Sequence, residues 1–190
     1  EVNLFCDGCS GQNKNSILPA MMLYTVQNSK NIEKISLRFF ESFHGQSEGD
    51  SVHSTISNAV KRSGDVFVPS QLIPIFRLAR NPPYEVHELQ YTDFWNFKQF
   101  SKDLRILKTR QTNKGEYVNW TTFMEVFVEK NKQPKKCPYQ IKFKTSHLQD
   151  EYRIIELKRQ KMKIKGYSLE KLNKEPRKVD IAKYNDLVSL

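Results

Sequence analysis

The start of the chain joins a short apolar run to an acidic residue and then to a loop rich in glycine and asparagine. Residues 2–6 (VNLFC) predict a buried strand, and Asp7 follows that strand directly. A helix is predicted next, with Asn15 or Ser16 as its cap. In open α/β sheets, ligands and metals bind just outside the carboxyl ends of strands. This order of elements therefore indicates an α/β fold with a candidate site at Asp7.

A second polar segment repeats this arrangement. Residues 34–43 alternate as a strand, and residues 44–53 (HGQSEGDSVH) lead into a helix that Asp50 or Ser51 can cap. Phosphodiester chemistry with two metal ions needs carboxylates that converge on cations about 4 Å apart. Asp7 and Asp50 satisfy this need if their strands are neighbours. We therefore interpret the two segments as a site for Mg²⁺ or Mn²⁺.

Several polar residues of the two segments have predicted roles in such a site. His53 lies one helical turn from Asp50, where it can deprotonate a water molecule. Residues 13–15 lie at a helix start, where backbone amides and the charge of Lys14 can hold a phosphate. The predicted catalytic residues are Asp7, Asp50 and His53, the predicted metal ligands are Asp7, Glu48 and Asp50, and the supporting residues are Gln12, Asn13 and His44.

Two other interpretations of these residues stay open. In the first, Asp7 is a turn residue and Asp50 is only a helix cap. In the second, Cys6 and Cys9 begin a zinc site, although the two histidines of residues 44–53 are nine residues apart rather than the usual spacing of about four to six. The Gly-Lys-Ser/Thr sequence of phosphate-cradling nucleotide hydrolases and the nucleophile elbow of α/β-hydrolases are both missing.

The rest of the chain predicts a mixed α/β class. Helices are predicted at 69–79, 92–100 and 180–190, strands at 84–89, 105–108, 117–128 and 139–144, and either element at 152–157. Strand, helix, strand and helix are thus followed by a β-rich part. This order favours a mixed sheet with flanking helices, followed by a basic, β-rich α+β extension.

Positive charge is concentrated in the second half of the chain. Residues 1–97 carry a net charge of −2 and residues 98–178 one of +13, within a total of +10. This asymmetry indicates nucleic acid as a partner, and a solvated lysine-rich surface is the alternative. The predicted nucleic-acid contacts are Lys14, Lys61, Arg62, Lys142, Lys144, Lys158, Arg159, Lys161 and Lys163.

Composition argues against several other classes of protein. An apolar fraction of 38% and an aromatic fraction of 12% are sufficient for a packed core. No apolar run approaches the ~20 residues that span a bilayer, so we expect no membrane partner. Three cysteines are too few for a disulfide scaffold. We therefore expect an intracellular location, with the nucleus as one candidate compartment; the oligomeric state does not follow from the sequence.

Two motif blocks resemble those of a known family. Residues 7–15 (DGCSGQNKN) and 44–54 (HGQSEGDSVHS) are similar to motifs of mobile-element-derived eukaryotic proteins with ribonuclease-H-like, transposase or integrase domains. Cys6 stands where that family commonly has Ser, and Phe43 and Gly45 stand where it commonly has Gly and Thr. Weaker similarity continues at residues 79–80, 83–86 and 92–94, so the resemblance covers most of the chain.

The resemblance implies a fold and roles for particular residues. It implies a partial ribonuclease-H-like core at residues 1–97, with residues 98–190 as a basic extension packed on or continuing the same domain. Asp7 matches the strand-end metal carboxylate, and Asp50 matches the helix carboxylate. The accompanying histidines are matched by His44 and His53.

The resemblance also implies an activity. Such folds carry another essential Asp on an earlier strand, which would precede residue 1, so we expect this chain to be the later part of a domain. The implied function is divalent-metal-dependent cleavage or transfer of nucleic-acid strands, with DNA a better candidate than RNA. Whether this chain is itself active stays open. A non-catalytic nucleic-acid-binding module and a degenerate protein-interaction remnant are the alternatives.

Overall fold

The chain folds into two compact units, each built from separate stretches of sequence. The computed structural model describes residues 1–9, 11–41, 48–133, 138–157 and 163–189. The first unit comprises Glu1–His44 and Trp95–Leu172, and the second comprises Gly45–Phe94 and Asn173–Leu190. Both units are discontinuous in sequence, whereas the predicted division into 1–97 and 98–190 follows the chain.

A five-stranded mixed sheet forms the centre of the first unit. Its strands are β1 (Val2–Cys6), β2 (Lys34–Phe39), β3 (Glu125–Glu129), β4 (Tyr139–Lys144) and β5 (Arg153–Leu157), and they lie in that order across the sheet. The first two strands are parallel, and every later pair is antiparallel. A parallel pair needs a crossover connection, which helix α1 (Ile17–Asn28) supplies. The predicted α/β class with a mixed sheet and flanking helices is confirmed.

Asparagine side chains cap the N-termini of two helices in the first unit. Asn15 Oδ1 accepts hydrogen bonds from the first two backbone amides of α1, at 2.8 and 3.3 Å, as one of the two predicted caps. Asn96 Oδ1 accepts a bond of 3.0 Å from the backbone N–H of Gln99 and begins α4 (Phe97–Asp103). Each side chain satisfies amides that have no partner inside the helix.

The hydrophobic core lies between one face of the sheet and these two helices. The Phe123 and Phe143 rings stack with their centroids 4.0 Å apart. Phe100 of α4 contacts the rings of Tyr24 and Tyr167, with centroid distances of 5.5 and 4.8 Å. The core also contains Met22, Leu23 and Val26 of α1 and Leu37, Val126, Ile141 and Ile155 of the sheet.

The opposite face of the sheet, which we call the outer face, carries charged and aromatic side chains. Because side chains alternate along a strand, every second residue of each strand points away from the core. The outer face includes Phe5, Arg38, Glu125, Phe127, Glu129, Lys142 and Lys144, together with Tyr152, which precedes β5. The prediction that β1 is buried is wrong, because β1 is an edge strand of the described sheet and Phe5 is 58% exposed.

The second unit consists of helices and irregular segments. Its helices are α2 (Glu48–Arg62), α3 (Leu72–Arg77) and α5 (Ile181–Val188). Helix α2 contacts α3 and carries a half-buried apolar stripe at the predicted positions, Val52, Ile56, Ala59 and Val60. Asp180 Oδ1 accepts a bond of 2.9 Å from the backbone N–H of Ala182 and caps α5. In this unit, every apolar side chain whose burial the structure describes keeps some exposure to solvent.

Several strand predictions are wrong. The backbone of residues 84–89 forms no strand. In the predicted strand at 105–108, a 3₁₀ turn spans Ile106–Lys108 instead, because Arg105 before it adopts a φ of 52°, in the left-handed region that strands exclude. Strand β2 ends at Phe39, four residues before its predicted end.

The predicted strand at 117–128 is also largely wrong. Its first half contains a 3₁₀ turn over Trp120–Thr122, because the Asn119 side chain accepts a bond of 3.2 Å from the backbone N–H of Thr121. Strand β3 therefore starts only at Glu125.

Two predicted helix starts are wrong as well. Helix α2 begins at Glu48, so Asp50 and Ser51 lie inside its first turn and do not cap it. Asp93 accepts a bond of 2.7 Å from the backbone N–H of Gln90 and closes a separate 3₁₀ turn, so α4 begins four residues later than Asp93. Asn96 caps α4 instead.

Across the part of the chain that the structure describes, no helix combines the length and the apolar character needed to cross a membrane.

We expect Phe143→Ala to destabilise the first unit by about 3–5 kcal/mol, because the truncation leaves a cavity against Phe123. Urea unfolding followed by circular dichroism measures the change. The matched control is Leu148→Ala, at a side chain of the same unit that is 92% exposed, and it should change stability by no more than about 0.5 kcal/mol. Equal stability of the two variants would contradict this assignment of the core.

Candidate functional site

Asp7 lies at the carboxyl end of β1, where the sequence places it, and it organises the loop that follows. Its Oδ1 atom accepts a hydrogen bond of 2.5 Å from Asn13 Nδ2 and one of 3.3 Å from the backbone N–H of Cys9. The carbonyl of Cys9 in turn accepts bonds from the backbone amides of residues 12–14. The described part of this loop donates no hydrogen bond to Asp7 Oδ2, and Asp7 is exposed.

Lys14 lies on the core side of this strand end. Its Nζ atom is 3.6 Å from Met124 Sδ and 5.2 Å from the centroid of the Phe39 ring. The side chain is therefore half-buried against the ends of β2 and β3. The predicted role of Lys14 in holding a phosphate stays a prediction.

The Cys6 thiol shows how burial and charge act at this strand end. Burial raises the pKa of the Cys6 thiol, the carboxylate of Asp7 raises it further, and the charge of Lys14 lowers it by a smaller amount. Cys6 is therefore a neutral thiol at neutral pH. Metal binding deprotonates a thiol, so this shift does not decide the zinc interpretation, which stays a prediction.

Because β1 and β2 are parallel, their carboxyl ends lie at the same edge of the sheet. Cys6 pairs with Phe39, and the backbone N–H of Phe40 donates a bond of 2.9 Å to the Cys6 carbonyl. Asp7 follows the first strand and the segment leading to α2 follows the second, so both leave from this carboxyl edge. The sequence predicts that the two polar segments meet at this edge, and that meeting stays a prediction.

A histidine in the turn after β4, His147, also contacts this edge, and its contact was not predicted. The His147 Nε2 atom donates a hydrogen bond of 2.9 Å to the carbonyl of Phe39. Strand β4 runs in the same direction as β2, because each is antiparallel to β3. The turn that follows β4 is therefore tied to the end of β2. Local sequence patterns do not reveal this contact, because it depends on the direction in which β4 runs in the sheet.

The other predicted acidic residues lie in the second unit. Glu48 and Asp50 are in the first turn of α2, Lys61 and Arg62 are in its last turn, and all four are exposed. This distribution complements the helix dipole, which favours acids at the N-terminus and bases at the C-terminus. His53 is exposed three residues after Asp50, and His44 lies outside the described residues.

No complete metal-binding group is formed among the described residues. Within the described ranges, no set of three or more His, Cys, Asp or Glu side chains is close enough to hold a metal ion. Asp7 belongs to the first unit, whereas Glu48 and Asp50 belong to the second. The Mg²⁺ or Mn²⁺ site therefore stays a prediction, to which Asp7 contributes a carboxylate oxygen of suitable chemistry.

A buried carboxylate at the centre of the outer face was not predicted. The Glu125 side chain is only 6% exposed, and its Oε1 atom contacts Arg38 Nε at 3.2 Å and the Tyr152 hydroxyl at 2.8 Å. Burial and the hydrogen bond to Glu125 raise the pKa of Tyr152 to about 12. The alternation of residues 125–129 (EVFVE) could have indicated this face, since it places the Glu and Phe side chains on one side of the strand and the two valines on the other.

Two of the predicted basic residues also lie on the outer face. Lys142 Nζ contacts Glu129 Oε1 at 2.5 Å, and Lys144 Nζ lies 4.6 Å from the centroid of the Tyr152 ring. Lys163 is exposed after β5. The other predicted contacts of that region, Lys158, Arg159 and Lys161, lie outside the described residues.

No family model, no curated protein and no solved structure matches this chain. The ribonuclease-H-like family and fold are therefore supported by the motif resemblance alone and stay predictions.

We expect the Tyr152 hydroxyl to make stability depend on alkaline pH. Its pKa rises from 10.0 to about 12 in the folded protein, so the unfolded chain loses this proton first. The stability that the hydroxyl contributes is present below about pH 10 and is lost as the pH rises to about 12. Urea unfolding of the wild type and Tyr152→Phe, measured from pH 8 to pH 12, should show a constant difference up to pH 10 and a shrinking one above it. A difference that does not change with pH would contradict this.

Proposed function

We propose that this chain is a ribonuclease-H-like, transposase-derived domain for divalent-metal-dependent cleavage or transfer of nucleic-acid strands. The observation that supports the proposal is the parallel pairing of β1 with β2. Asp7 follows β1 directly, and the segment that carries Glu48 and Asp50 follows β2. The strands that precede the two predicted acidic segments thus end at the same carboxyl edge of the sheet, which is the usual place for such a site.

The described residues around Asp7 fit one part of this role. Asn13 and the backbone N–H of Cys9 hold one carboxylate oxygen, and this fixes the side chain at the strand end. In the proposal the second oxygen binds the cation, and Asp50 and Glu48 complete the ligands. A bound Mg²⁺ or Mn²⁺ would supply Lewis-acid stabilisation of the phosphodiester oxygens. Gln12 and His44 would support the site.

His53 would move the proton in this proposal. It lies three residues after Asp50 on α2, which places the two side chains on neighbouring positions of the helix surface. A neutral imidazole at that position can accept the proton of an attacking hydroxyl group.

We expect Asp7→Asn to lower the rate of Mn²⁺-dependent cleavage of a labelled DNA strand by about 100-fold or more, because the change removes the ligand charge. Asparagine keeps the Oδ1 acceptor for Cys9 and Asn13, so the loop should keep its conformation. The matched control is Asp150→Asn, which removes an exposed carboxylate from a turn of the same unit and should leave the rate unchanged. Cleavage by Asp7→Asn at the wild-type rate would overturn the assignment of Asp7.

The second candidate is a non-catalytic nucleic-acid-binding module. It is favoured by the charge of +13 at residues 98–178, of which Lys142 and Lys144 lie on the outer face. Because this function needs no metal ligands, binding should survive the double variant Asp7→Ala and Asp50→Ala.

For that module we expect DNA binding that weakens steeply with salt. Four phosphate contacts to a single strand would give a slope of about −3 for the logarithm of the association constant against that of the salt concentration. Fluorescence anisotropy between 25 and 200 mM KCl measures this slope for the wild type and the double variant. Absence of binding at 25 mM KCl would instead favour the protein-interaction remnant.

A further inference from the structure

One row of side chains crosses the whole outer face of the sheet. Phe5, Arg38, Glu125 and Lys144 occupy directly opposed positions on four adjacent strands, and Tyr152 lies against Lys144. The row thus has an aromatic ring at each end, a cation beside each ring and a carboxylate at its centre. It lies at the end of the sheet near Asp7, since Phe5 is only two residues before Asp7 on the chain.

Each aromatic ring on the outer face has a basic group near it. The Arg38 guanidinium carbon is 5.9 Å from the centroid of Phe5, and Lys142 Nζ is 5.6 Å from that of Phe127. Phe127 and Tyr152 lie beside each other with their centroids 5.7 Å apart. The face therefore alternates flat π surfaces with cations over about 20 Å, the width of five strands at the usual strand spacing.

The charges of the outer face are largely balanced. Glu125 pairs with Arg38, and Glu129 pairs with Lys142. A double helix presents only phosphates and groove edges to a flat surface, so it would gain little from a face with this balance. Unpaired nucleotides also offer base faces, which stack on aromatic side chains whatever the base sequence.

We propose that the outer face binds single-stranded nucleic acid, with bases stacked on Phe5, Phe127 and Tyr152. In this complex Lys142 and Lys144 move from the rings and from Glu129 to the phosphates of the strand, while Arg38 stays paired with the buried Glu125. The inference rests on the proposed function in one respect, the choice of nucleic acid as partner, and it adds that the bound strand is unpaired. Phe5 then places one end of the bound segment close to Asp7.

The test compares three labelled probes by fluorescence anisotropy on the 190-residue chain, at 25 mM KCl with EDTA present. The probes are a dT12 strand, the same strand paired with dA12, and a 12-residue abasic strand that keeps the phosphates and lacks the bases. EDTA makes the measurement independent of any cleavage, so a failure here is distinct from a failure of the metal-dependent activity. We expect dT12 to bind at least about tenfold more tightly than either the duplex or the abasic strand, and equal affinity for dT12 and the duplex would contradict the claim that the bound strand is unpaired.

The variants Phe5→Leu and Phe127→Leu keep apolar bulk and remove the π surface. Each should weaken dT12 binding about tenfold and leave binding of the abasic strand unchanged. The matched control is Tyr117→Leu. Tyr117 is an aromatic residue of the same unit that is 65% exposed and lies outside the outer face. This variant should bind dT12 like the wild type. Circular dichroism melting checks that each variant is folded, and Phe5, being 58% exposed, is the substitution expected to disturb the fold least.

Three further results would overturn the proposal. Equal affinity for dT12 and the abasic strand would mean that phosphate contacts alone account for binding. Wild-type dT12 affinity in both folded leucine variants would place the contacts elsewhere on the chain. A failure of all three probes to bind would assign the outer face to a protein partner or to solvent.

Discussion

The pairing of β2 with β3 is the constraint on which the first unit depends. At this seam the parallel strands, which come early in the chain, meet the antiparallel strands, which come between the two stretches of the second unit. The Arg38–Glu125 ion pair lies at the seam on the outer face, and Leu37 pairs with Val126 on the core face. A carboxylate as buried as Glu125 is costly unless it is paired, so the seam requires Arg38 and Tyr152 to be in place.

This seam also gives the two faces of the sheet different properties. The core face is held by stacked rings and aliphatic side chains that exclude water. The outer face has the Arg38–Glu125–Tyr152 cluster at its centre. Around it, Lys142 contacts Glu129 and Phe127 and Lys144 contacts the Tyr152 ring, and these contacts of the two lysines can exchange partners. A ligand with both flat rings and negative charge could replace these contacts group by group. The same sheet thus combines a rigid interior with an adaptable surface beside Asp7.

The sequence predicts an element well where the local pattern alone is sufficient. The run at residues 2–6 ends in turn residues, and residues 139–144 alternate cleanly, so β1 and β4 have the predicted bounds. Residues 84–89 alternate as well, yet they form no strand, because alternation does not supply a neighbouring strand to pair with. The turn at residues 105–108 depends on one left-handed residue, Arg105, which no periodicity reveals.

The candidate site was predictable to a similar extent. The position of Asp7 at a strand end follows from the apolar run before it. The hydrogen bond of Asp7 with Asn13 depends on how the loop closes. The cluster around Glu125 depends on its contact with Arg38, which lies 87 residues away in sequence. Single-sequence patterns carry no information on such distant pairs.

The bond between His147 and the end of β2 has a consequence for the chemistry of this imidazole. Because its acceptor is a carbonyl oxygen, Nε2 must carry a hydrogen. A ring nitrogen that donates to the backbone cannot at the same time bind a cation or accept a proton. His147 therefore fastens the turn after β4 to β2 and offers no free ε nitrogen to a substrate at this edge.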